Sequence, residues 1–262
     1  MKPYFIASDL HMGDGSLADD FKQNKDRFAD FLQYVKEQQG RLILAGDVFE
    51  LWQADLQSIL KQNVEIIRLL FALQPRIIAG NHDYYIRNFI DFDFVHYPTW
   101  HMEHDTGLVR IEHGHEHDPN NDPERNMQLG KIVASLAGFA ENWIHPDVDQ
   151  AFTDFAGKAR EAGNRVYEEI ITPWKRERNT GKKQSNHPYL KAADRIRKEN
   201  EGVSWVVFGH THNPEIREDY RYVNCGCWVK EVPTFVKIAG NAIGLYEFRG
   251  KNNIKERAVA AM

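Results

Sequence analysis

Seven side chains with metal-ligand chemistry fall at the ends of apolar runs. They are Asp9 and His11 in "FIASDLHMGDG", Asp47 in "RLILAGD", Asn81 in "PRIIAGNHD", His113 in "GLVRIEHGHEHD", and His210 and His212 in "VSWVVFGHTH". Imidazole, carboxylate and amide oxygen together suit borderline or hard divalent ions such as Mn²⁺, Fe²⁺ or Zn²⁺. No thiolate lies near them in the sequence, which argues against a structural zinc cage. Seven donors exceed what one tetrahedral ion needs. They suit two ions, roughly 3.5–4 Å apart, that share a carboxylate. A single Asp-x-His or Gly-His-x-His is a weak signal. Five such strand ends, in order and each after an apolar run, point to one rim.

For these donors to meet, the runs that carry them must be strands of an α/β core. Residues 3–8, "RLILAGD" and "PRIIAGNHD" read as buried strands. Between the first two, Phe21, Phe28, Phe31, Leu32 and Val35 form a helical stripe from about Asp19 to Gln39, with Gly40 at the C-cap position. A second helical pattern covers residues 56–73. Strand, helix and strand in this rhythm predict parallel neighbours. In open α/β sheets ligands bind outside the carboxyl ends of the strands, where these donors fall. The tail, "YRYVNCGCW" and "TFVKIAGNAIGLYEF", reads as antiparallel strands with a turn near Gly240-Asn241. Pro123 to Asn200 carries helical patterning without strand signals. The expectation is one domain over residues 1–262 with a helical insertion at about 123–200.

The bulk composition narrows the class. A chain of 262 residues with formal charge -5 does not suggest a general nucleic-acid binder. The two cysteines, Cys225 and Cys227, read as small half-buried residues and not as a disulfide framework. No apolar run reaches the roughly 18 residues of a membrane span. Asp9 interrupts the short apolar stretch at the N-terminus, unlike a signal peptide. The expectation is a cytoplasmic protein.

"SDLHMG", "GDVFELW", "GNHD", "HGHEHD" and "GHTH" together resemble the signature of the calcineurin-like metallophosphoesterases, over residues 8 to 212. The resemblance implies a four-layer α-β-β-α sandwich. It implies phosphoester hydrolysis by a hydroxide that bridges two divalent ions, Mn²⁺ first and Fe²⁺ or Zn²⁺ otherwise, and attacks phosphorus in line. One ion would be held by Asp9, His11, Asp47 and His212, the other by Asp47, Asn81, His113 and His210. Asp47 is then the bridge. His82 matches the family's non-ligand histidine, which protonates or stabilises the leaving oxygen. Glu50 matches the acidic partner that holds that histidine charged and oriented. Asp83 is expected to make local turn hydrogen bonds. His115, His117 and Asp118 stay open between supporting the site and facing substrate. His96, His101, His104, His145 and His187 lack motif context and read as ordinary histidines.

Within the family, "SDLHMG", "GDVFELW" and "NCGCW" are most similar to the bacterial UDP-2,3-diacylglucosamine pyrophosphatase group. That group cleaves a nucleotide-lipid diphosphate and carries a helical insertion before its last histidine motif. The chain departs from it at His82, where the group usually has Arg. A soluble nucleotide or phosphomonoester is therefore the alternative substrate. Nucleases share the motif set, but the overall acidity opposes that reading. Its best support is the basic run Lys175, Arg176, Arg178, Lys182, Lys183, Lys191, Arg195, Arg197 and Lys198. That run also reads as a solvated face, or as a peripheral contact with an anionic membrane surface. A metal-free scaffold would lack ligands, and none is missing. No feature of the sequence fixes an oligomeric state.

Overall fold

The computed structural model describes residues 2–84, 96–97, 99–118 and 188–262. Strands β1 (Tyr4–Ala7), β2 (Arg41–Ala45), β3 (Arg76–Ile78) and β4 (His96–Tyr97) run parallel in one sheet. Strands β10 (Thr234–Ala239), β11 (Ala242–Phe248) and β12 (Ile254–Ala261) extend it antiparallel on the β1 side, giving the order β12-β11-β10-β1-β2-β3-β4. A second sheet is built from β5 (Thr99–His104), β6 (Gly107–Glu112), β7 (Val203–Phe208), β8 (Glu215–Arg217) and β9 (Tyr222–Asn224), in the order β5-β6-β7-β9-β8.

Period-two alternation along each strand builds the layers. Ile6, Ile43, Ala45 and Ile78 face Val109, Ile111, Trp205 and Val207 between the sheets. Phe5, Leu42, Leu44 and Ile77 point the other way, into a cluster with α1 (Lys25–Glu37), α2 (Leu56–Gln62) and α3 (Val64–Leu73). Val206 and Phe208 turn outward under Tyr189, Leu190 and Ile196 of α4 (Pro188–Glu199). Helix, sheet, sheet and helix give the expected four layers. Phe31 sits among Phe5, Phe28, Trp228, Phe235 and Phe248, with ring centroids 5.0–6.3 Å apart. Each such ring contributes roughly 1.5–3 kcal/mol by burial. This cluster fixes Trp228, whose backbone N–H donates to the Asp9 carbonyl at 3.0 Å. Core packing thus reaches directly into the first metal-type strand end.

Several element boundaries differ from the sequence reading. The first helix opens as a 3-10 turn, Asp20–Asn24, capped by the Asp19 carboxylate, and is α-helical only from Lys25. At its end Gln39, not Gly40, takes the left-handed conformation (φ 50°). The Gly40 N–H reaches the Val35 carbonyl and the Gln39 N–H that of Lys36, a Schellman closure one residue earlier than expected. The second helix breaks at Asn63, whose amide donates to the carbonyls of Ile59 and Gly13, both at 2.9 Å. That bond ties the helix break to the loop after His11. In the tail, β9 runs parallel to β7, while β10 and β11 form the expected hairpin. Strands β5 and β12 gave no sequence signal because they are sheet edges with few buried residues.

Of the expected insertion, only α4 falls within the described residues; the rest of 123–200 lies outside them. On α4, Lys191, Arg195 and Lys198 are exposed, and Lys198 pairs with Asp194 at 2.6 Å. Lys175 to Lys183 lie outside the described residues. No described helix is long and apolar enough to cross a membrane. Cys225 and Cys227 are fully buried, not half-buried, and remain free thiols.

Candidate metal centre

Five of the seven predicted ligands share one backbone feature. Asp9 (φ 54°), His11 (48°), Asp47 (50°), His210 (65°) and His212 (53°) all lie in the left-handed region. For non-glycine residues this costs on the order of 1–2 kcal/mol each, and such strain persists only where the surroundings over-determine it. Here the β1–β2 pairing continues past the strands: Asp9 N–H bonds to Gly46 O, His11 N–H to Asp47 O and Met12 N–H to Val48 O, at 2.9–3.0 Å. The Asp9 carboxylate accepts the His210 N–H at 2.9 Å, and the Asp47 carboxylate accepts the His82 N–H at 2.8 Å. Both approaches need a glycine beside them. A Cβ at Gly80 would lie 2.1 Å from Asp47 Oδ1, and one at Gly209 would lie 2.5 Å from Asp9 Oδ2.

Three groups of side chains converge: Asp9 with His11 and His212, Asp47 with His113 and His210, and His11 with Glu50 and His82. Hydrogen bonds behind the rings fix what they present. His11 Nδ1 donates to Glu50 Oε2 (2.8 Å) and His113 Nδ1 donates to the Ala45 carbonyl (2.9 Å). In both rings Nε2 is therefore the nitrogen turned toward the other ligands. His113 Nε2 lies 3.1 Å from Asp47 Oδ2 and 3.2 Å from Asn81 Oδ1. His11 Nε2 lies 3.2 Å from His212 Nε2, 3.8 Å from Asp47 Oδ2 and 3.9 Å from Asp9 Oδ1. Asp9 Oδ1 is buried and lies 3.1 Å from His212 Nε2. Carboxylate, amide and imidazole atoms crowded together in this way are what a divalent cation satisfies. Ligand bonds of about 2.0–2.2 Å imply donor-to-donor edges of roughly 3.0–3.6 Å. The residues fit a pair of divalent ions, and Asp47 stands between the first two groups.

Without the ions, the site balances its own charges. Burial favours neutral carboxyls, yet His212 and His113 hold Asp9 down at about 2. Burial likewise opposes Asp47, and His113, His82 and His11 hold it well below the usual carboxylate range. Burial disfavours charged imidazoles, but Asp47 and Asp9 push His113 up to about 10, and Asp9 pushes His212 up to about 10. These two protons occupy the place of dication charge.

The predicted His82–Glu50 pair is formed: His82 Nδ1 lies 2.8 Å from Glu50 Oε1. Glu50 also holds His11, so one carboxylate orients both a ring of the metal group and its neighbour. Burial alone would raise Glu50; His82 and His11 bring it to about 2. Burial opposes a charged His82, and Glu50 with Asp47 outweighs it, so its pKa rises. Asp83 accepts the Gly80 N–H at 2.7 Å, the expected local turn bond, and also the Val48 N–H at 2.7 Å, a bond to the loop after Asp47 that the sequence reading did not include.

The sequence reading missed Trp52, which lies flat on the His82 ring. Its place in "GDVFELW" was the available signal. His115, His117 and Asp118 also separate. Asp118 Oδ2 accepts from His210 Nε2 and from the Tyr189 hydroxyl, both at 3.3 Å, linking α4 to the rim. That bond leaves His210 Nδ1 as the acceptor. His117 turns away to Glu112, at 2.8 Å. His115 is buried near His113 and His210; burial and those two rings push it down to about 2. His101 and His104 belong to β5 and His96 to β4, while His145 and His187 lie outside the described residues.

A two-sheet α/β sandwich with clustered histidine and carboxylate ligands at its strand ends defines a metal-dependent phosphohydrolase. The chain belongs to the calcineurin-like phosphoesterases, whose family model matches residues 2–214. Among solved structures it is similar to Vacuolar Protein Sorting 29 from Cryptosporidium parvum (12% identity, 100% of this chain and 97% of that chain, TM-score 0.43). It is also similar to YfcE, a phosphoesterase from E. coli (13% identity, 99% and 98%, TM-score 0.44). A dimetal phosphatase from Danio rerio is a third (8% identity, 97% and 98%, TM-score 0.48). No curated protein matches the sequence.

Proposed function

We propose that the chain cleaves a phosphoester or phosphoanhydride bond at this rim, with His82 Nε2 as proton donor to the leaving oxygen. The observation that carries this is the His82–Glu50 pair beside the ligand groups. Glu50 engages Nδ1, so Nε2 is the nitrogen left for substrate. A cleft of about 260 Å³ opens there, lined by His11, Asp47, Asn81, His82, His210 and His212. Asp9, His11, Asp47 and His212 would hold one divalent ion, and Asp47, Asn81, His113 and His210 the other, Mn²⁺ being the first choice. When bound, such a pair supplies Lewis-acid stabilisation of phosphoryl oxygens and a water nucleophile at neutral pH. The chain's own residues fix the geometry. Glu50 favours the charged form of the His82 ring and aims it, and Trp52 covers one of its faces.

The substrate class we assign is a nucleotide-diphosphate lipid of the UDP-2,3-diacylglucosamine kind. The wording of residues 8–13, 46–52 and 224–228 supports it. The place of residues 123–200, between the ligands His113 and His210, also supports it, and we assign substrate choice to that stretch. His82 favours a second reading, a soluble nucleotide or phosphomonoester, because the lipid group usually has Arg there. A panel of mono-, di- and pyrophosphate esters assayed with Mn²⁺ tests both. Preference for the nucleotide-lipid diphosphate is expected. Higher kcat/KM on a soluble monoester would sink the lipid assignment and leave the hydrolase.

A further inference from the structure

A second cleft, of about 510 Å³, lies among the described residues at the opposite ends of the parallel strands from the metal rim. Tyr4, Arg41 and Arg76 are the first residues of β1, β2 and β3, whereas the ligands follow the last residues. Along β2 the two ends are roughly 13 Å apart at about 3.3 Å per residue. Lys2, Tyr4, Arg41, Leu73, Arg76 and Trp100 line the cleft, and among the described residues no Asp or Glu does. The Arg41 guanidinium carbon lies 5.5 Å from the Tyr4 ring centroid, and its Nη1 donates to the Tyr4 hydroxyl at 2.8 Å. The Arg76 guanidinium carbon lies 5.1 Å from the Trp100 ring centroid.

Among the described residues Lys2, Arg41 and Arg76 form no ion pair, whereas Arg110, Arg217 and Arg249 each pair with a carboxylate at 2.7–2.9 Å. Three cations around one cavity repel one another unless an anion enters. Aromatic faces hold the two guanidiniums, which leaves N–H edges for paired bonds to phosphate oxygens. Leu73 and Trp100 add an apolar flank that a bare phosphate would leave unused. We propose that this cleft binds a nucleotide-class organic phosphate, at a site separate from the rim where hydrolysis occurs.

Calorimetric titration of the Mn²⁺-loaded full chain with α,β-methylene-ADP, which resists hydrolysis, tests this. Two binding events are expected. Arg41→Ala with Arg76→Ala should weaken one by at least about tenfold, the size of a lost charged hydrogen bond. It should leave the rim event and the turnover of a small ester unchanged. Arg76→Lys keeps the charge but not the planar edge, and should fall between. If the double variant melts early, the exposed single variants Arg41→Gln and Arg76→Gln carry the same comparison. A single event that the arginine variants do not alter would overturn the proposal. Equal affinity for pyrophosphate and the nucleotide analogue would overturn the nucleotide class.

Discussion

Trp52 lies face to face with His82, ring centroids 3.7 Å apart and planes at 20°. Glu50 holds the edge of the same imidazole. One ring is thus fixed in orientation by an edge contact and a face contact from residues two apart in the sequence. A stacked aromatic also favours a charged imidazole. Trp52→Leu should therefore lower kcat by about three- to tenfold, an effect of around 1 kcal/mol. Trp52→Phe should recover most of it, with metal content unchanged. Equal kcat for Leu and Trp at this position would show that the edge contact alone suffices.

His82 itself should separate chemistry from metal binding. His82→Ala is expected to keep both ions and to slow turnover by about 10²–10⁴-fold, the usual contribution of a positioned acid. The loss should shrink as the leaving group becomes a weaker base, because a good leaving group needs no proton. Glu50→Gln should give a milder version, tempered by its second contact with His11. Measuring kcat across phenyl esters of graded pKa checks this. A uniform loss across the series would assign His82 to structure.

Asp47 stands between the two ligand groups, and its other carboxylate oxygen accepts the His82 N–H. Asp47→Asn removes the charge that two dications would share. At least one ion should be lost, and activity with it, as read by elemental analysis and the ester assay. Full occupancy with normal turnover would remove Asp47 from the bridging position.

Metal uptake should release protons, and the sign follows from the metal-free site. His113 and His212 carry folded pKa values of about 10 against an ordinary 6.5, so both are protonated at neutral pH. As ligands they must be neutral. Loading should release about two protons in total, and affinity should rise with pH up to about 10. Asp9 is already ionised, with its pKa held at about 2, and adds nothing to this window. In the metal-free protein the raised histidines stabilise the fold fully below 6.5, and that stabilisation is lost as pH rises toward 10. The melting temperature of chelator-treated protein should fall across that range, and that of loaded protein much less. Calorimetry in buffers of differing ionisation heat counts the protons; a count near zero would contradict the assignment of these two rings.

The strands bearing ligands were legible because each is a buried apolar run that stops at a polar residue. What the sequence hides is how the chain turns at those stops. Nothing in its letters says that Asp9, His11, Asp47, His210 and His212 adopt φ of 48–65°. That conformation depends on contacts from β2, the Gly209 turn and Trp228, remote in sequence. The role of Asp118 is hidden for the same reason, since its carboxylate meets His210 and Tyr189, 92 and 71 residues away. Edge strands such as β12 carry mostly exposed residues, so no apolar pattern announces them.

Substrate choice decides between the two readings of this hydrolase. Residues 123–200 combine Trp143 and Trp174 with the basic run that contains Lys182 and Lys183. Contacts remote from the reacting bond can be used to bind and orient a large substrate, and a small chromogenic ester cannot make them. Replacing residues 123–186 with a short Gly/Ser linker, while keeping α4 and its Tyr189–Asp118 contact, should spare cleavage of the small ester. It should lower kcat/KM for a nucleotide-diphosphate lipid by at least about tenfold, the effect of losing 1.4 kcal/mol of transition-state binding. Charge reversal at Lys182 and Lys183 should raise KM for anionic lipid dispersions more than for soluble esters, and high salt should mask the difference. If both substrates lose activity equally, the segment supports the fold or the metals. If neither does, selection lies in the rim cleft, where His82 would favour the soluble substrate.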